Sequence, residues 1–310
     1  MRGDRMKLER GQVAVVTGGA SGIGLALATA LARRGCDLVI ADIEVDAMAA
    51  AAAELDGLGV SVLTHRTDVS RVEDLESLAA ATMDRFGSVH VLCNNAGVSS
   101  RTDPWTGPLS SWDWVMGVNF WGVVHGIRAF LPHLVTSGGA HVVNTASIAG
   151  LYPGFGPAYD ASKHGVVAVS ESLFTAMAAA GVPLGVSCLC PGWVRTNLLD
   201  ADRNWPDHLG GRPEHDPIAE VPGSFVRRAF DEATPPAVIA DQVVAAVEEN
   251  RFWVLPHQDF LDLAIERWHT IAERQNPSPP EQTPGLPPCS EIIAEVARLI
   301  ASQQAQQTQQ

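Results

Sequence analysis

"VAVVTGGASGIG", residues 13–24, runs an uncharged apolar stretch straight into a glycine-rich turn. A short continuous apolar run ending in glycine reads as a strand buried on both faces. The following "IGLALATALARRG", residues 23–35, has helical apolar spacing, with Gly35 as its C-cap candidate. Strand, glycine turn and helix in that order make a cradle for phosphate. Gly18, Gly22 and Gly24 let the backbone turn tightly and approach a ligand. The helix N-terminus adds unpaired N–H groups and the positive end of a dipole. A glycine triplet alone is weak evidence; between a strand and a helix it predicts a dinucleotide site.

The same alternation continues outward. Strands are predicted at 37–42, 60–66, 89–93, 140–147, 185–190 and 252–256, and helices at 45–56, 71–86, 109–136, 157–180 and 237–249. Near-continuous apolar strands alternating with helices imply an α/β, Rossmann-type, doubly wound parallel sheet of about seven strands, with helices on both faces. Ligands bind such sheets at the carboxyl ends of the strands. The expected organisation is one domain, residues 10–256, after a tail at 1–9, with an irregular substrate loop at about 197–235. An extension at 257–310 should hold a helix at about 258–274, a stretch with six prolines at 277–288, a last amphipathic helix and a disordered Gln-rich end.

Composition excludes several partners. With 21 basic and 35 acidic residues the net charge is −14, which argues against nucleic acid and anionic membrane surfaces. No apolar run approaches the roughly 20 residues of a membrane span. The N-terminal residues show no hydrophobic signal region, so the expected location is cytoplasmic. The five cysteines are scattered and the ten histidines lack metal spacing, so no metal is expected. Cys188 and Cys190 are read as facing opposite sides of a strand, a poor metal pair.

Asp42 ends the second predicted strand, about 20 residues beyond the glycines, where a carboxylate can accept hydrogen bonds from the adenosine ribose. It would repel a 2′-phosphate. The next residues are Ile43 and Glu44, and the turn carries Ser21 rather than a basic residue, so NAD is favoured over NADP. "YDASK" places Tyr159 and Lys163 one helical turn apart on one face.

The TGxxxGxG spacing resembles that of the short-chain dehydrogenase/reductase family, and further motifs follow in family order. They are "TDVS" (67–70), "NNAG" (94–97), "VNFWG" (118–122), "NTASIAG" (144–150), "YDASK" (159–163) and "PGWVRT" (191–196). The similarity covers roughly residues 10–256. It implies Tyr159 as proton donor or acceptor and Ser147 as hydrogen-bond donor to the substrate oxygen. Lys163 would hold the nicotinamide ribose and lower the Tyr159 pKa, and Asn119 would support a water-linked proton relay. Ile23 and the glycines would surround the cofactor phosphates, Asp68 and Val69 the adenine. Asn95 and Gly97 would flank the cofactor, and Val194 and Thr196 would meet the carboxamide, with Pro191 and Gly192 in the same motif. Beyond 252 the chain resembles longer bacterial members, among them enzymes that oxidise the benzylic alcohol of lignin-type aryl ethers. Family members associate through their two long helices, so a homodimer or homotetramer is expected.

The expected activity is NAD-dependent interconversion of a secondary alcohol and its ketone. The alternatives are an epimerase or dehydratase that keeps its nicotinamide bound, and a non-catalytic NAD-binding regulator. Phe155, Trp193 and Leu198 are pocket candidates, with Trp105, Leu199 and Trp205 as further walls, implying a bulky apolar substrate (aryl, terpenoid or steroid-like). Trp112, Trp114 and Trp121 are assigned to packing. Arg101, Arg195 and Arg203 keep a carboxylate clamp open. The extension is read as a subunit-contact arm, an extra packing layer or a pocket lid.

Overall fold

The computed structural model describes residues 6–100, 102, 105–212, 217–278 and 280–307. Seven strands, all parallel, lie in the order β3-β2-β1-β4-β5-β6-β7. They are β1 (Val13–Thr17), β2 (Asp37–Asp42), β3 (Val62–Arg66), β4 (Val91–Asn94), β5 (Ala140–Thr145), β6 (Leu184–Leu189) and β7 (Trp253–Val254). The order reverses between β1 and β4, which opens a crevice beyond their carboxyl ends.

Side-chain alternation along the strands sorts the helices between two cores. Ala14, Val16, Leu38 and Ile40 pack with Leu27 and Leu31 of α1 (Gly22–Ala32), Leu55 of α2 (Val45–Asp56), and Ile239, Val243 and Val247 of α8 (Pro236–Glu248). Val13, Val15, Val39 and Ala41 turn to the other face. There they meet Leu75 and Leu78 of α3 (Val72–Phe86), Phe130 of α5 (Gly122–Leu134), and Val166 and Leu173 of α6 (Pro157–Ala180). Each fully buried Leu or Phe contributes roughly 1.5–3 kcal/mol before the entropy of ordering is counted.

The structure departs from the sequence reading in five places. The helix expected at 109–136 is α4 (Ser110–Met116), a π-turn at Gly117–Trp121, and α5. The π-turn inserts one residue, with the Gly122 N–H bonded to the Gly117 carbonyl, and apolar periodicity does not register a single extra residue. The last strand shrinks to two residues. The substrate loop, expected to be irregular with no more than short helices, has short 3₁₀ segments at Leu198–Asn204 and Asp207–Leu209 but also the fifteen-residue α7 (Pro217–Asp231). Cys188 and Cys190 lie on the same face, Sγ to Sγ 3.9 Å, because residues two apart on a strand share a side. Finally, α10 (Cys289–Gln307) carries the Gln-rich segment as helix through its last described residue, and alanine and glutamine are good helix formers.

The extension is not a separate domain. α9 (Leu261–Ala272) ties to the loop after β5 through Arg267 Nη1, which donates to the Leu151 carbonyl at 3.2 Å. α10 packs on α7. Among the described residues no helix is long and apolar enough to cross a membrane.

α5 approaches β4 at Gly126, where a Cβ would lie 2.1 Å from Asn94 Oδ1. Asn94 cannot swing aside, because its Nδ2 donates to Asn144 Oδ1 at 2.9 Å in a fully buried ladder. Gly126→Ala should therefore lower stability by about 1–3 kcal/mol despite alanine's better helix propensity. Urea midpoints check this, and an unchanged or raised midpoint contradicts the packing argument.

Candidate active site

The phosphate end forms where β1 runs into α1. Gly18 has φ +62°, and a Cβ there would lie 2.8 Å from the Ala96 Cα. Ser21 precedes α1 in extended conformation and makes no side-chain cap bond, which leaves the first N–H groups of the helix facing the crevice. Gly24 lies beneath the turn rather than on its surface: a Cβ there would sit 1.9 Å from the Gly18 carbonyl oxygen. Asn95 fastens the turn to the sheet. Its Nδ2 donates to the Thr17 carbonyl at 3.1 Å, its backbone N–H donates to Thr17 Oγ1 at 2.9 Å, and its Oδ1 accepts from Thr145 Oγ1 at 3.3 Å.

Asp42 lies in the same cleft and accepts three backbone N–H bonds, from Ala20 (3.1 Å), Ile43 (2.8 Å) and Glu44 (3.1 Å). A carboxylate has about four acceptor sites, so room for a ribose hydroxyl remains. Arg203, one of the clamp candidates, is engaged elsewhere. Its Nη2 meets Glu44 Oε1 at 2.6 Å, and Asn204 Nδ2 donates to the same oxygen at 2.8 Å. These bonds hold the 3₁₀ segment Leu198–Asn204 against the loop after β2. Sequence reading missed Glu44, since its partners lie about 160 residues away. Arg195 does not line the cleft, and Arg101 lies outside the described residues.

Ser147, Tyr159 and Lys163 converge at the carboxyl end of β5. Ser147 Oγ caps its own 3₁₀ turn, accepting from the Ala149 N–H at 3.1 Å, and donates to the Pro191 carbonyl at 3.3 Å; Tyr159 lines the same end of the cleft. Lys163 Nζ donates to the Thr145 carbonyl at 2.9 Å and lies 5.6 Å from the Tyr159 ring centroid. Asn119 is fully buried behind them. Its Oδ1 accepts from the Val98 N–H at 2.8 Å, while its Nδ2 donates to the Val98 carbonyl at 3.0 Å and to Ser162 Oγ at 3.2 Å. The side chain expected to support a relay clamps Val98, in the loop that follows β4.

Burial moves the two key pKa values in opposite directions, because it penalises whichever form is charged. Tyr159 is pushed up to about 12, chiefly by desolvation; the nearby Ser147 hydroxyl opposes this and the Asp160 charge adds to it. Desolvation is the largest of these influences on the tyrosine. Lys163 itself is pulled down to about 8 by burial, against which the neighbouring Cys188 and Cys190 act weakly. Asp160, to which the sequence assigns no role, is buried and accepts from the Gly154 N–H at 2.8 Å and the Phe155 N–H at 3.2 Å. It holds the loop that carries Phe155.

Around these groups the cleft measures about 1140 Å³ and follows the strand ends from Asp42 to Phe155. Gly18, Ser21, Gly22, Ile23, Asp68, Val69, Asn95, Gly97, Pro191, Gly192, Val194 and Thr196 line it, as the sequence anticipates. Phe155, Trp193, Leu198, Leu199 and Trp205 line its other end. Trp114, read as packing alone, lines the cleft as well as the core and stands edge-on to Trp205 at 5.2 Å. Trp105 and Trp121, at 77% and 50% exposure, are neither cleft wall nor core. Phe230, Thr283 and Leu286 also line the cleft and were missed, because they come from α7 and the extension. The cleft exceeds the 300–1,000 Å³ of a pocket for one small ligand, leaving room for a dinucleotide and a second molecule. Gly18 and Gly22 provide a cradle that a Cβ would fill, and an acceptor for ribose sits at Asp42, so the residues present fit a nicotinamide dinucleotide.

Comparison with known proteins agrees. Residues 12–207 match the family described as short chain dehydrogenase. The chain is 43% identical over 192 residues to 1-deoxy-11-beta-hydroxypentalenate dehydrogenase of Streptomyces exfoliatus, covering 61% of this chain and 69% of that protein. A short chain dehydrogenase/reductase from Burkholderia phymatum, solved in complex with NAD, superposes with a TM-score of 0.86 at 36% identity, covering 90% of this chain and all of that one. LigO of Sphingobium sp. strain SYK-6, in its apo form, superposes with a TM-score of 0.71 at 30% identity over 87% of this chain and 90% of that one.

The lysine gives a pH test. Unfolded, it keeps its proton up to its ordinary 10.5; folded, only up to about 8. Between those values the unfolded chain binds more protons, so stability rises with pH. Relative to Lys163→Met, the cofactor-free protein should gain on the order of 3 kcal/mol between pH 8 and 10.5, read from urea midpoints. A difference that stays flat across that window contradicts the assigned burial.

Proposed function

The chain belongs to the short chain dehydrogenase family, and on that premise we propose that it is an NAD-dependent oxidoreductase interconverting a secondary alcohol and its ketone, with Tyr159 as general acid and base. The observation that carries the reading is the convergence of Ser147, Tyr159 and Lys163, with the lysine ammonium 5.6 Å from the tyrosine ring centroid, in the cleft that holds the glycine turn. A bound nicotinamide supplies the hydride acceptor or donor and, when oxidised, a positive ring that favours tyrosinate.

The protein supplies placement and charge. Tyr159 and Ser147, the latter turned from the Pro191 carbonyl to which its hydroxyl donates at 3.3 Å, would present two donors to one substrate oxygen, where charge develops as the alkoxide forms or the carbonyl is reduced. In the oxidative direction Tyr159 takes the hydroxyl proton as the hydride leaves; in reduction it returns it. Lys163 is held by Thr145 with its ammonium over the tyrosine ring, and at neutral pH it remains mostly protonated, so its positive charge stands beside the forming phenolate. Asn119 acts as a positioning residue through Val98 and Ser162.

Asp42 supports NAD over NADP, since its carboxylate, lining the cleft at the end of β2, would repel a 2′-phosphate, and Arg203 is already paired with Glu44. The apolar far wall favours a bulky aryl, terpenoid or steroid-like substrate. We further assign the protein to the cytoplasm as a homodimer or homotetramer that associates through the region of α5 and α6, where Trp121 and Phe174 are exposed.

Tyr159→Phe should lower kcat by about 10²–10⁴-fold while NADH affinity, followed by fluorescence titration, stays within about twofold. Near-normal turnover in that variant sinks the mechanism. Wild-type initial rates at equal concentrations should favour NAD over NADP widely, and Asp42→Ser should raise the KM for NAD about tenfold, the loss of a hydrogen bond to a charged group. Comparable rates with the two cofactors remove Asp42 from the assigned role.

A further inference from the structure

The far wall of the cleft is completed by a segment that precedes α10, far in sequence from every motif. "TPGL", Thr283–Leu286, forms a tight turn, closed by the Leu286 N–H donating to the Thr283 carbonyl at 3.0 Å. Gly285 has φ +77°, and Pro at the second position with Gly of positive φ at the third is the signature of a type II turn. The turn is itself braced: Gln282 pairs with Pro288 in an isolated bridge, Gln282 Nε2 donates to the Leu286 carbonyl at 3.0 Å, and the Cys289 N–H donates to the Glu281 carbonyl at 3.1 Å.

One directed bond joins this turn to the active site. Trp193 Nε1 donates to the Pro284 carbonyl, the one in the turn's central peptide, at 2.8 Å. The indole ring lies against Gly285, where a Cβ would come within 3.1 Å of Trp193 Cδ1. Phe155 and Phe230 pack on the same indole at 5.4 and 5.3 Å between ring centroids. Trp193 lies two residues beyond Pro191, whose carbonyl accepts from Ser147 Oγ at 3.3 Å, so the indole lines the cleft close to the Ser147 end. Thr283 and Leu286 face into that cleft together with Trp193.

We propose that the Thr283–Leu286 turn is the specificity-determining wall of the substrate site: it locks Trp193 through Pro284 and, with Leu286, selects secondary alcohols that carry a flat aromatic or polycyclic body. The proposal rests on the oxidoreductase reading for the position of the reacting oxygen. A substrate with a large apolar face gains from Leu286, Trp193 and Phe155 together, whereas a short aliphatic alcohol reaches only Ser147 and Tyr159. The extension thereby acts within its own chain.

The test is calorimetric binding to full-length, NADH-loaded protein, a state in which an alcohol cannot turn over. The probes are 1-(2-naphthyl)ethanol and butan-2-ol. Leu286→Ala should weaken the naphthyl probe about five- to tenfold and butan-2-ol by less than about twofold, in keeping with the worth of a few methylenes in an apolar pocket. Leu286→Phe, which preserves apolar bulk in case the alanine variant folds poorly, should shift the same ratio by at least about threefold in either direction. Trp193→Phe keeps a ring but loses the N–H, and its effect on the naphthyl probe should be non-additive with Leu286→Ala. NADH affinity, measured first for each variant, should stay within about twofold. Unchanged probe ratios, a loss confined to NADH binding, or no saturable naphthyl binding by the wild type overturns the proposal. If the ratios shift as expected but Tyr159→Phe still turns over alcohols, the wall stands and the assignment of Tyr159 falls.

Discussion

The site depends on one chain of hydrogen bonds that crosses the reversal in strand order. Asn95 holds the Thr17 carbonyl on one side and the Thr145 hydroxyl on the other, and the Thr145 carbonyl in turn holds Lys163. Through these contacts the glycine turn, the end of β4 and the end of β5 move as one unit. A parallel sheet whose order reverses leaves a crevice beyond the carboxyl ends of β1 and β4, and side chains must bridge it. Asn95 does so with a side chain that is both donor and acceptor, which aspartate or leucine could not match. The phosphate cradle and the tyrosine–lysine pair thus share one rigid frame, as hydride chemistry requires of a cofactor and its partner groups.

Burial on this frame has an electrostatic consequence. The same desolvation that raises Tyr159 to about 12 lowers Lys163 to about 8, so at neutral pH the lysine carries its charge while the phenol keeps its proton. On the proposed reading, a positive nicotinamide ring would favour the tyrosinate. Asp160 adds a smaller effect with a structural purpose: its carboxylate holds the Phe155 loop, and its negative charge opposes ionisation of the neighbouring tyrosine.

The substrate end is assembled differently. Its walls come from the loop after β5, the 3₁₀ segment and α7 after β6, and the turn before α10. Side chains rather than strand ends join these pieces: Arg203 and Asn204 to Glu44, Trp193 to Pro284, Arg267 to Leu151. The half-exposed Arg203–Glu44 pair adds little stability by itself, since such pairs are worth about 0–1 kcal/mol. What it contributes is registry between two loops that have no sheet to align them.

Much of this protein follows from sequence alone. Burial on both faces makes the strands continuously apolar, helices repeat every 3.6 residues, and only glycine tolerates the positive φ and close approach at residue 18, so fold class, phosphate turn and Asp42 are legible in short windows, while the roles of Ser147, Tyr159 and Lys163 came only from the resemblance of ordered motifs to a family. Tertiary structure alone decided the π-turn that redirects Asn119, the pairing of Glu44 with Arg203, the contact of Cys188 with Cys190, the direction of the Tyr159 shift, and the return of Pro284 to Trp193 across 91 residues. Spacing records what neighbours along the chain can do together. It does not record which distant loops meet or how much water they exclude, and those two quantities set the far wall and the charge state of the site.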